Sequence, residues 1–123
     1  MTQMIEMKTT ELIGPALDWA VAKVEGFIDD PESWLYGAGL GRIMAGTFRP
    51  STNWSQGGPL IDKYKVDLFP TDPVMPKAVI TPDLSEPHFY FRQFGPTPLI
   101  AAMRCLVAAM LGDTVQVTKE LMP

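Results

Sequence analysis

The chain has 123 residues with a single cysteine and a single histidine, which excludes an internal disulfide and an ordinary zinc cluster. Its 14 acidic and 10 basic side chains give a net charge of −4, and this charge disfavours binding to duplex DNA or RNA through phosphate neutralisation. The longest apolar run, Leu99 to Leu111, is interrupted by Arg104 and is too short to span a bilayer, so we expect one domain over residues 1–123 that does not enter a membrane.

The first predicted element is a helix from about Thr10 to Glu25. Either Thr9 or Thr10 caps its free amides, or the helix begins at Gly14-Pro15 with proline at the first helical position. Gly26 is expected to end the helix. Four apolar residues fall at helical spacing and predict its buried side: Leu17, Ala20, Val21 and Val24.

A loop is predicted next. Phe27 to Asp29 forms a possible short strand, and turn-forming residues then extend from Asp30 to Phe48. The sequence GAGLGR, Gly37 to Arg42, is similar to a phosphate-binding loop. No clear strand precedes it, and it lacks the lysine and hydroxyl of a P-loop, so an ordinary flexible loop is the better interpretation.

A second helix is predicted to begin after Asn53 and to reach about Lys65. Gln56 lies three residues after Asn53, as in a capping box. The sequence Gly57-Gly58-Pro59 weakens this helix, because glycine costs about 1 kcal/mol and proline about 3 kcal/mol relative to alanine. We therefore expect a first turn up to Gln56 and a regular helix only from Pro59 to Tyr64.

Three strands are predicted in the following segment: Val66 to Phe69, Ala78 to Thr81 and His88 to Phe94. Five prolines between residues 70 and 87 confine the intervening chain to short strands and extended loops. Successive side chains of the last strand alternate between its two faces, as in an antiparallel strand with one buried face. Its two sides are Phe89, Phe91 and Gln93 against Tyr90, Arg92 and Phe94.

The final helix carries the clearest pattern. Thr97 is expected to cap it, Pro98 occupies the first helical position, and Gly112 ends it. The core stripe is expected to contain Leu99, Met103, Leu106 and Met110, with Ile100, Val107 and Leu111 beside it. Val115 and Val117 then lead into a capped last turn at Thr118 to Leu121. The elements together predict an α+β fold in which helices cover a small antiparallel sheet.

Three stretches resemble a known family: GPALDWAVAKVEG, PSTNWSQGGPLI and GPTPLIAAMRCLVAAMLGD. They are similar to the three blocks of the small NinX-like accessory proteins of lambdoid phages and prophages, and more distantly to the phage α-β-α sandwich domain. The resemblance covers about Lys8 to Leu121. It implies a phage origin, a location in the host-cell cytoplasm and an α+β sandwich, but no activity. The absence of a signal-peptide pattern agrees with this location.

Two helix amino termini are candidates for an anion site, because each offers unsatisfied amides and a partial positive charge. If the sheet brings them together, hydroxyl and amide side chains surround one pocket, and a tryptophan forms a wall for a base. The alternative is ordinary helix capping with a tryptophan in the core. The candidate ligand-binding residues are Arg49, Ser51, Thr52, Asn53, Trp54 and Thr97.

Arg104 interrupts an apolar helix, and burial of an arginine is costly unless it is paired. We expect it either to reach the helix edge or to form a structural salt bridge with Asp18 or Asp62. Asp18 and Lys23 are otherwise expected to lie mostly towards solvent. Trp19 is expected in the core or at an interface.

Catalytic chemistry is not expected. His88 follows a proline at a strand start and is expected to be exposed, and Cys105 lies on a buried side of the last helix with an inert thiol. No spacing suggests a Ser-His-Asp triad, and one histidine leaves little capacity for acid–base catalysis. The sequence predicts no metal and no cofactor.

Two classes of non-enzymatic function are therefore predicted. The first is capture of a small anionic ligand of nucleotide type at the helix amino termini, which would sequester a host molecule. The second is an interaction module that grips a host or phage protein through Trp34, Tyr36 and the proline-rich loops, because aromatic anchors dominate such interfaces. Short strands with unpaired edges also favour self-association.

Overall fold

The computed structural model describes residues 3–26 and 48–121. The α+β class is confirmed. The possible strand at Phe27 to Asp29 and the GAGLGR loop lie outside the described residues. In chain order the elements are β1 (Met4–Lys8), a 3₁₀ turn (Thr9–Glu11), α1 (Gly14–Val24), α2 (Trp54–Lys63), β2 (Asp67–Phe69), β3 (Lys77–Ile80), β4 (Phe91–Phe94), α3 (Pro98–Leu111), β5 (Thr114–Thr118) and a second 3₁₀ turn (Lys119–Leu121).

The strands form two small antiparallel sheets rather than the single sheet that was predicted. One sheet pairs β1 with β5, with Ile5 opposite Val117 and Met7 opposite Val115. The other has the order β2-β3-β4. Strand β1 was not predicted, although its residues alternate between exposed and half-buried positions along MIEMK.

Helix α3 lies at the centre of the core. It packs against β3 and β4 and also against α1, and its middle turns are buried except at Arg104, which is half-buried. Alanines such as Ala101 and Ala102 permit these close approaches. Met110 and Leu111 were predicted to be buried, and this is wrong: they are 54% and 38% exposed. No described element covers that side of the last helical turn.

Helix α1 begins at Gly14, with Pro15 in its first turn, so the second of the two predicted starts is correct. Thr9 does not cap this helix, because it lies in a 3₁₀ turn and its hydroxyl donates to the Gly112 carbonyl at 2.6 Å. Gly26 follows the helix with a positive φ of 74°, as expected of a terminating glycine. The prediction that Asp18 faces solvent is wrong, since it is buried.

Helix α2 runs without interruption from Trp54 to Lys63, so the prediction of a regular helix only from Pro59 is wrong. Asn53 caps it as predicted, but the capping box is not formed. The Asn53 N–H donates to the Arg49 carbonyl, and the Gln56 side chain accepts from the Arg49 N–H. Tertiary packing of the first turns overrides the weak helix propensity of the Gly-Gly-Pro sequence.

The three strands of the second sheet lie where they were predicted, with shifted ends. β4 begins at Phe91 rather than His88, because the Phe89 N–H donates to the Glu86 carbonyl and closes a turn. β2 begins at Asp67, because the Val66 N–H is bonded to the end of α2 at Ile61. His88 is exposed, as predicted.

Candidate functional site

A cleft of about 210 Å³ lies where the amino-terminal ends of α2 and α3 meet. Its mostly apolar lining includes four of the six residues that the sequence selected for a ligand site. Three residues at the start of α3 complete the cleft, and the sequence argument missed them. The lining residues are Ser51, Thr52, Trp54, Thr97, Pro98, Leu99 and Ile100.

The helix caps use part of the hydrogen-bonding capacity that an anion would need. The Asn53 side chain accepts from the Ser55 N–H at 2.9 Å, and the Thr97 hydroxyl accepts from the Ile100 N–H at 3.1 Å. Pro98 has no N–H. Among the described residues, the N–H groups of Trp54 and Leu99 make no hydrogen bond. In the described part of the chain, each helix therefore has one amide without a partner at a residue that lines the cleft.

Arg49 and Asn53 do not line the cleft. The Asn53 side chain is occupied by the cap of α2, as described above. Arg49 is exposed, and its positive charge acts on the carboxylate of Asp18. Arg49 therefore contributes charge near the cleft without forming its wall.

Ser51 connects the cleft to helix α1. Its backbone N–H donates to Asp18 Oδ1 at 2.9 Å. Its hydroxyl is buried and has no hydrogen-bond partner among the described residues, although it is close enough to Asp18 to influence that carboxyl group. Burial raises the pKa of Asp18, while Ser51 and the charge of Arg49 oppose the shift.

The two candidate tryptophans have different environments. Trp54 is 54% exposed and presents its indole at the mouth of the cleft, whereas Trp19 is 2% exposed and belongs to the core. The core position of Trp19 agrees with the prediction, and its indole N–H has no partner among the described residues. Of the two described tryptophans, Trp54 is the one that is exposed and lines the cleft.

Gly57 sets the distance between the two helices at the cleft. A Cβ atom at this position would collide with the Pro50 carbonyl oxygen and with the side chain of Leu99. The neighbouring Gly58 faces open space. The first glycine of the pair therefore allows α2 to lie directly against the start of α3, and this approach forms the cleft.

Arg104 pairs with neither Asp18 nor Asp62, so the predicted salt bridge is wrong. Its Nε donates to the Leu12 carbonyl at 2.8 Å and its Nη1 to the Phe94 carbonyl at 2.9 Å. These two backbone acceptors replace the acid, because the half-buried guanidinium lies between the chain before α1 and the end of β4. Burial lowers the pKa of Arg104.

Cys105 is buried, as predicted, and its Sγ lies 3.4 Å from the Phe91 carbonyl oxygen. Burial raises the pKa of this thiol to about 12. A thiol in this state is a poor nucleophile at neutral pH. Cys105 is therefore a core residue rather than a reactive group.

Residues 3–26 and 48–121 contain no cluster of three or more side chains that could hold a metal ion. In the same part of the chain, no helix has the length and apolarity needed to cross a membrane. Trp34 and Tyr36, the predicted aromatic anchors, lie outside the described residues. The cleft is thus the described feature that four of the six sequence-selected residues share.

The sequence of the chain matches the model of a known protein family. The family model described as bacteriophage P22, NinX matches residues 8–110. The chain therefore belongs to that phage family and is a phage accessory protein, as the resemblance of the three sequence blocks indicated. No curated protein of similar sequence was found.

Proposed function

We propose that this phage accessory protein binds a small anionic molecule of nucleotide type in the cleft between α2 and α3, without chemical turnover, and so sequesters it in the host cytoplasm. The observation that carries the proposal is the convergence of Thr52, Trp54 and Thr97 on one cleft. The first residues of both helices line this cleft, and helix amino termini favour phosphate or carboxylate.

The size of the cleft limits what it encloses. A volume of about 210 Å³ is smaller than the roughly 300–1,000 Å³ of a typical drug-sized site. It suits one phosphate group or one base rather than a whole nucleotide. The rest of the ligand would lie across the exposed face of Trp54, where stacking stabilises a base without hydrogen bonds to its edge.

Polar groups support an anion in this position. The N–H groups of Trp54 and Leu99, which have no partner among the described residues, can each donate one hydrogen bond, and Thr52 is an exposed residue of the same lining. Arg49 adds a nearby positive charge. The Ser51 hydroxyl supplies a further unpaired polar group, which becomes available if the turn before α2 adjusts around a ligand.

The proposal is tested by thermal unfolding with a panel of nucleotides and inorganic phosphate. A ligand at about 100 times its Kd should stabilise the protein by about 2.7 kcal/mol. Trp54→Ala should abolish the shift of the melting temperature. Phe89→Ala is the matched control, because Phe89 is 55% exposed and Trp54 is 54% exposed, and Phe89 lies away from the cleft.

Arg49→Ala separates the contribution of charge from that of stacking. It should weaken the binding of phosphate-containing ligands and leave the binding of an uncharged nucleoside unchanged. If no compound in the panel shifts the melting temperature at high excess, the ligand-binding proposal is wrong. An equal loss of binding in Trp54→Ala and Phe89→Ala would also contradict it, because the site would then lie elsewhere.

A second candidate function is a protein-interaction module. Val74 and Leu84 in the proline-rich segment are 83% and 85% exposed. Both lie in turns with defined geometry, since Asp72 accepts from the Val74 N–H at 3.0 Å and Asp83 accepts from the Ser85 N–H at 2.9 Å. Apolar side chains presented on ordered turns suit recognition of a host or phage protein.

Co-purification from infected host cells tests this second function. A stoichiometric partner should be recovered with the wild-type chain and lost with Leu84→Asp or Val74→Asp. Gln116→Asp, at an exposed position of the other sheet, is the control with the same change of charge. Recovery of the same protein with all variants would exclude the proline-rich segment as the binding surface.

A further inference from the structure

Strand β1 forms an open edge of the sheet β1-β5. In the described part of the chain this sheet has two strands, and α1 and α3 pack against β5. The Thr9 N–H donates to the Asp113 carbonyl at 2.8 Å at one end of the paired strands. The Lys119 N–H donates to the Gln3 carbonyl at 2.9 Å at the other end. These two bonds fix which backbone groups of β1 face β5, because hydrogen-bonded and non-hydrogen-bonded pairs alternate along an antiparallel ladder.

The alternation leaves three residues of β1 with outward backbone groups. The N–H and C=O groups of Ile5 and Met7 point towards β5, whereas those of Met4, Glu6 and Lys8 point away from it. No described residue forms a hydrogen bond with these outward groups. Natural edge strands are often blocked by a proline or a bulge, but β1 has no proline and pairs with β5 continuously over five residues. The edge can therefore accept another strand.

The inner face of the sheet is less well covered near this edge. Val115 and Val117 of β5 are 5% and 0% exposed. Met7 and Ile5, which lie opposite them on β1, are only half-buried. A further strand beside β1 would remove more of these two apolar side chains from water, which favours association.

The outer face of β1 carries one acid and one base. Glu6 and Lys8 are both exposed, and they lie opposite the uncharged Gln116 and Thr114 of β5. Neither charge forms an ion pair with a residue that the structure describes. The two charges flank Met7. When a strand of this pattern pairs antiparallel with a copy of itself about its centre, each acid lies opposite a base.

We propose that β1 pairs antiparallel with β1 of a second copy of the chain and forms a dimer with a four-stranded sheet of order β5-β1-β1-β5. The two-fold axis passes beside Met7, and Glu6 of each copy faces Lys8 of the other. A two-fold interface has to be self-complementary, and opposite charges directly across two strands stabilise their pairing. The outward backbone groups of Glu6 and Lys8 form the new hydrogen bonds. The interface shares no residue with the cleft.

The charges of β1 distinguish this register from its neighbours. An antiparallel pair centred on Glu6 places two carboxylates directly opposite each other, which is destabilising. A pair centred on Ile5 leaves Glu6 and Lys8 without charged partners. A shift by one residue turns the apolar side chains to the solvent face. The pairing centred on Met7 alone joins the apolar rows and both pairs of opposite charges.

Sedimentation velocity of the wild-type chain from micromolar to millimolar concentration tests the dimer. The mass should rise with concentration towards twice the 13.6 kDa of the chain. Glu6→Lys and Lys8→Glu should each weaken dimerisation about tenfold or more, because two attractive cross-strand pairs become repulsive. Glu86→Lys, at an exposed position of the proline-rich segment, is the matched control and should leave dimerisation unchanged.

Two combinations of the charge variants test the register. The double variant Glu6→Lys/Lys8→Glu should dimerise as the wild type does, because the pairs of opposite charge are restored in reverse. An equimolar mixture of the two single variants should form a heterodimer, because each lysine of one chain then faces a glutamate of the other.

A pair of variants at Lys8 tests the backbone hydrogen bonds. The φ of Lys8 is −70°, which proline adopts without strain, and its N–H does not bond to β5. Lys8→Pro should abolish dimerisation because it removes an edge donor. Lys8→Gln, which loses the same charge but keeps the N–H, should weaken dimerisation much less. Circular dichroism checks that each variant is folded, and the charge variants decide the question if Lys8→Pro does not fold.

Three results would overturn the proposal. The first is a wild-type chain that remains monomeric at millimolar concentration. The second is equal dimerisation of folded Lys8→Pro and Lys8→Gln, because the interface would then not use the edge of β1. The third is a mixture of Glu6→Lys and Lys8→Glu that stays monomeric, because Glu6 and Lys8 would then not face each other.

Discussion

The buried carboxylate of Asp18 accepts a hydrogen bond from the backbone N–H of Ser51 at 2.9 Å, across 33 residues of sequence. This bond joins the middle of α1 to the turn that leads into α2. Because Ser51 and its neighbour Thr52 line the cleft, the position of the cleft wall depends on an acid in the core. A change at Asp18 should therefore affect both stability and ligand binding.

Replacement of Asp18 separates the hydrogen bond from the charge. Asp18→Ala should reduce the free energy of unfolding by about 1–3 kcal/mol, because a buried N–H loses its acceptor. Asp18→Asn should cost much less, because its amide oxygen accepts the same bond and its NH₂ can donate to the unpaired Ser51 hydroxyl. Urea unfolding of the two variants measures the difference. Equal losses would mean that the hydrogen bond is unimportant.

The pKa of Asp18 predicts how its contribution depends on pH. Burial raises this pKa above 3.8, so the folded protein holds the proton of this carboxyl group more tightly than the unfolded chain does. Its stabilising contribution is full below about pH 3.8 and is lost as the pH rises through the folded value. The unfolding free energy of the wild type relative to Asp18→Asn should therefore fall as the pH increases. A difference that grows with pH would contradict the burial argument.

The two glycines of α2 predict opposite effects of alanine. Gly57→Ala should destabilise the protein by about 1–3 kcal/mol, the usual cost of overpacking, because its Cβ meets the Pro50 carbonyl and Leu99. Gly58→Ala should stabilise it by up to about 1 kcal/mol through helix propensity, since its Cβ meets no atom within 4 Å. Thermal unfolding tests both. Destabilisation by Gly58→Ala would show that the start of α2 is placed incorrectly.

Arg104 should stabilise the fold through its hydrogen bonds to two backbone carbonyls. Arg104→Met should lower the free energy of unfolding by about 2 kcal/mol, because the carbonyls of Leu12 and Phe94 lose their donor. Arg104→Lys should rescue only part of this loss, since an ammonium group lacks the planar fork of a guanidinium. Arg92→Met at an exposed position is the control and should change stability by about 0.5 kcal/mol or less.

Tyr64 provides a spectroscopic test of the contact between α1 and α2. Its hydroxyl donates to the Glu25 carboxylate, which also contacts the Lys63 Nζ at 3.0 Å. Burial, together with the hydrogen bond and charge of Glu25, raises the pKa of Tyr64 to about 12. The stability that this shift supplies is present below pH 10 and is lost as the pH rises through about 12.

The pKa of Tyr64 can be read from phenolate absorbance as the difference between wild type and Tyr64→Phe. Glu25→Gln should lower this pKa partway towards 10.0, its ordinary value, because the charge is removed while the burial remains. Lys63→Met, which leaves the carboxylate in place, should not lower it. An unchanged titration in Glu25→Gln would show that the two side chains are not in contact.

Local signals in the sequence predicted the helices well. Thr97, Pro98 and Gly112 define both ends of α3, because capping and termination depend on residues within one helical turn. Strand β1 was missed because it lacks flanking turn residues and because its partner β5 is distant in sequence. Asp18 was placed at the surface because the acceptor role of a buried acid depends on a backbone amide 33 residues away.

The candidate site was predictable only in part. The caps Asn53 and Thr97 are visible as residue types, and the sequence therefore indicated which residues stand at the helix entries. The close approach of the two helices depends on Gly57, which the propensity argument treated only as a weakness of α2. The sequence does not indicate which glycine of the pair packs or against what, because the contact of Gly57 with Leu99 depends on the tertiary fold.

The pairing of β1 with β5 has a consequence for folding during synthesis. The Thr9 hydroxyl meets the Gly112 carbonyl across 103 residues, and the adjoining strands pair over the same long separation. This sheet cannot form until β5 has left the ribosome, whereas α1 can form earlier. Closure of such a large loop is entropically unfavourable. We expect the β1-β5 sheet to be among the last parts of the molecule to form. A nascent chain halted before Thr114 should therefore be easily degraded.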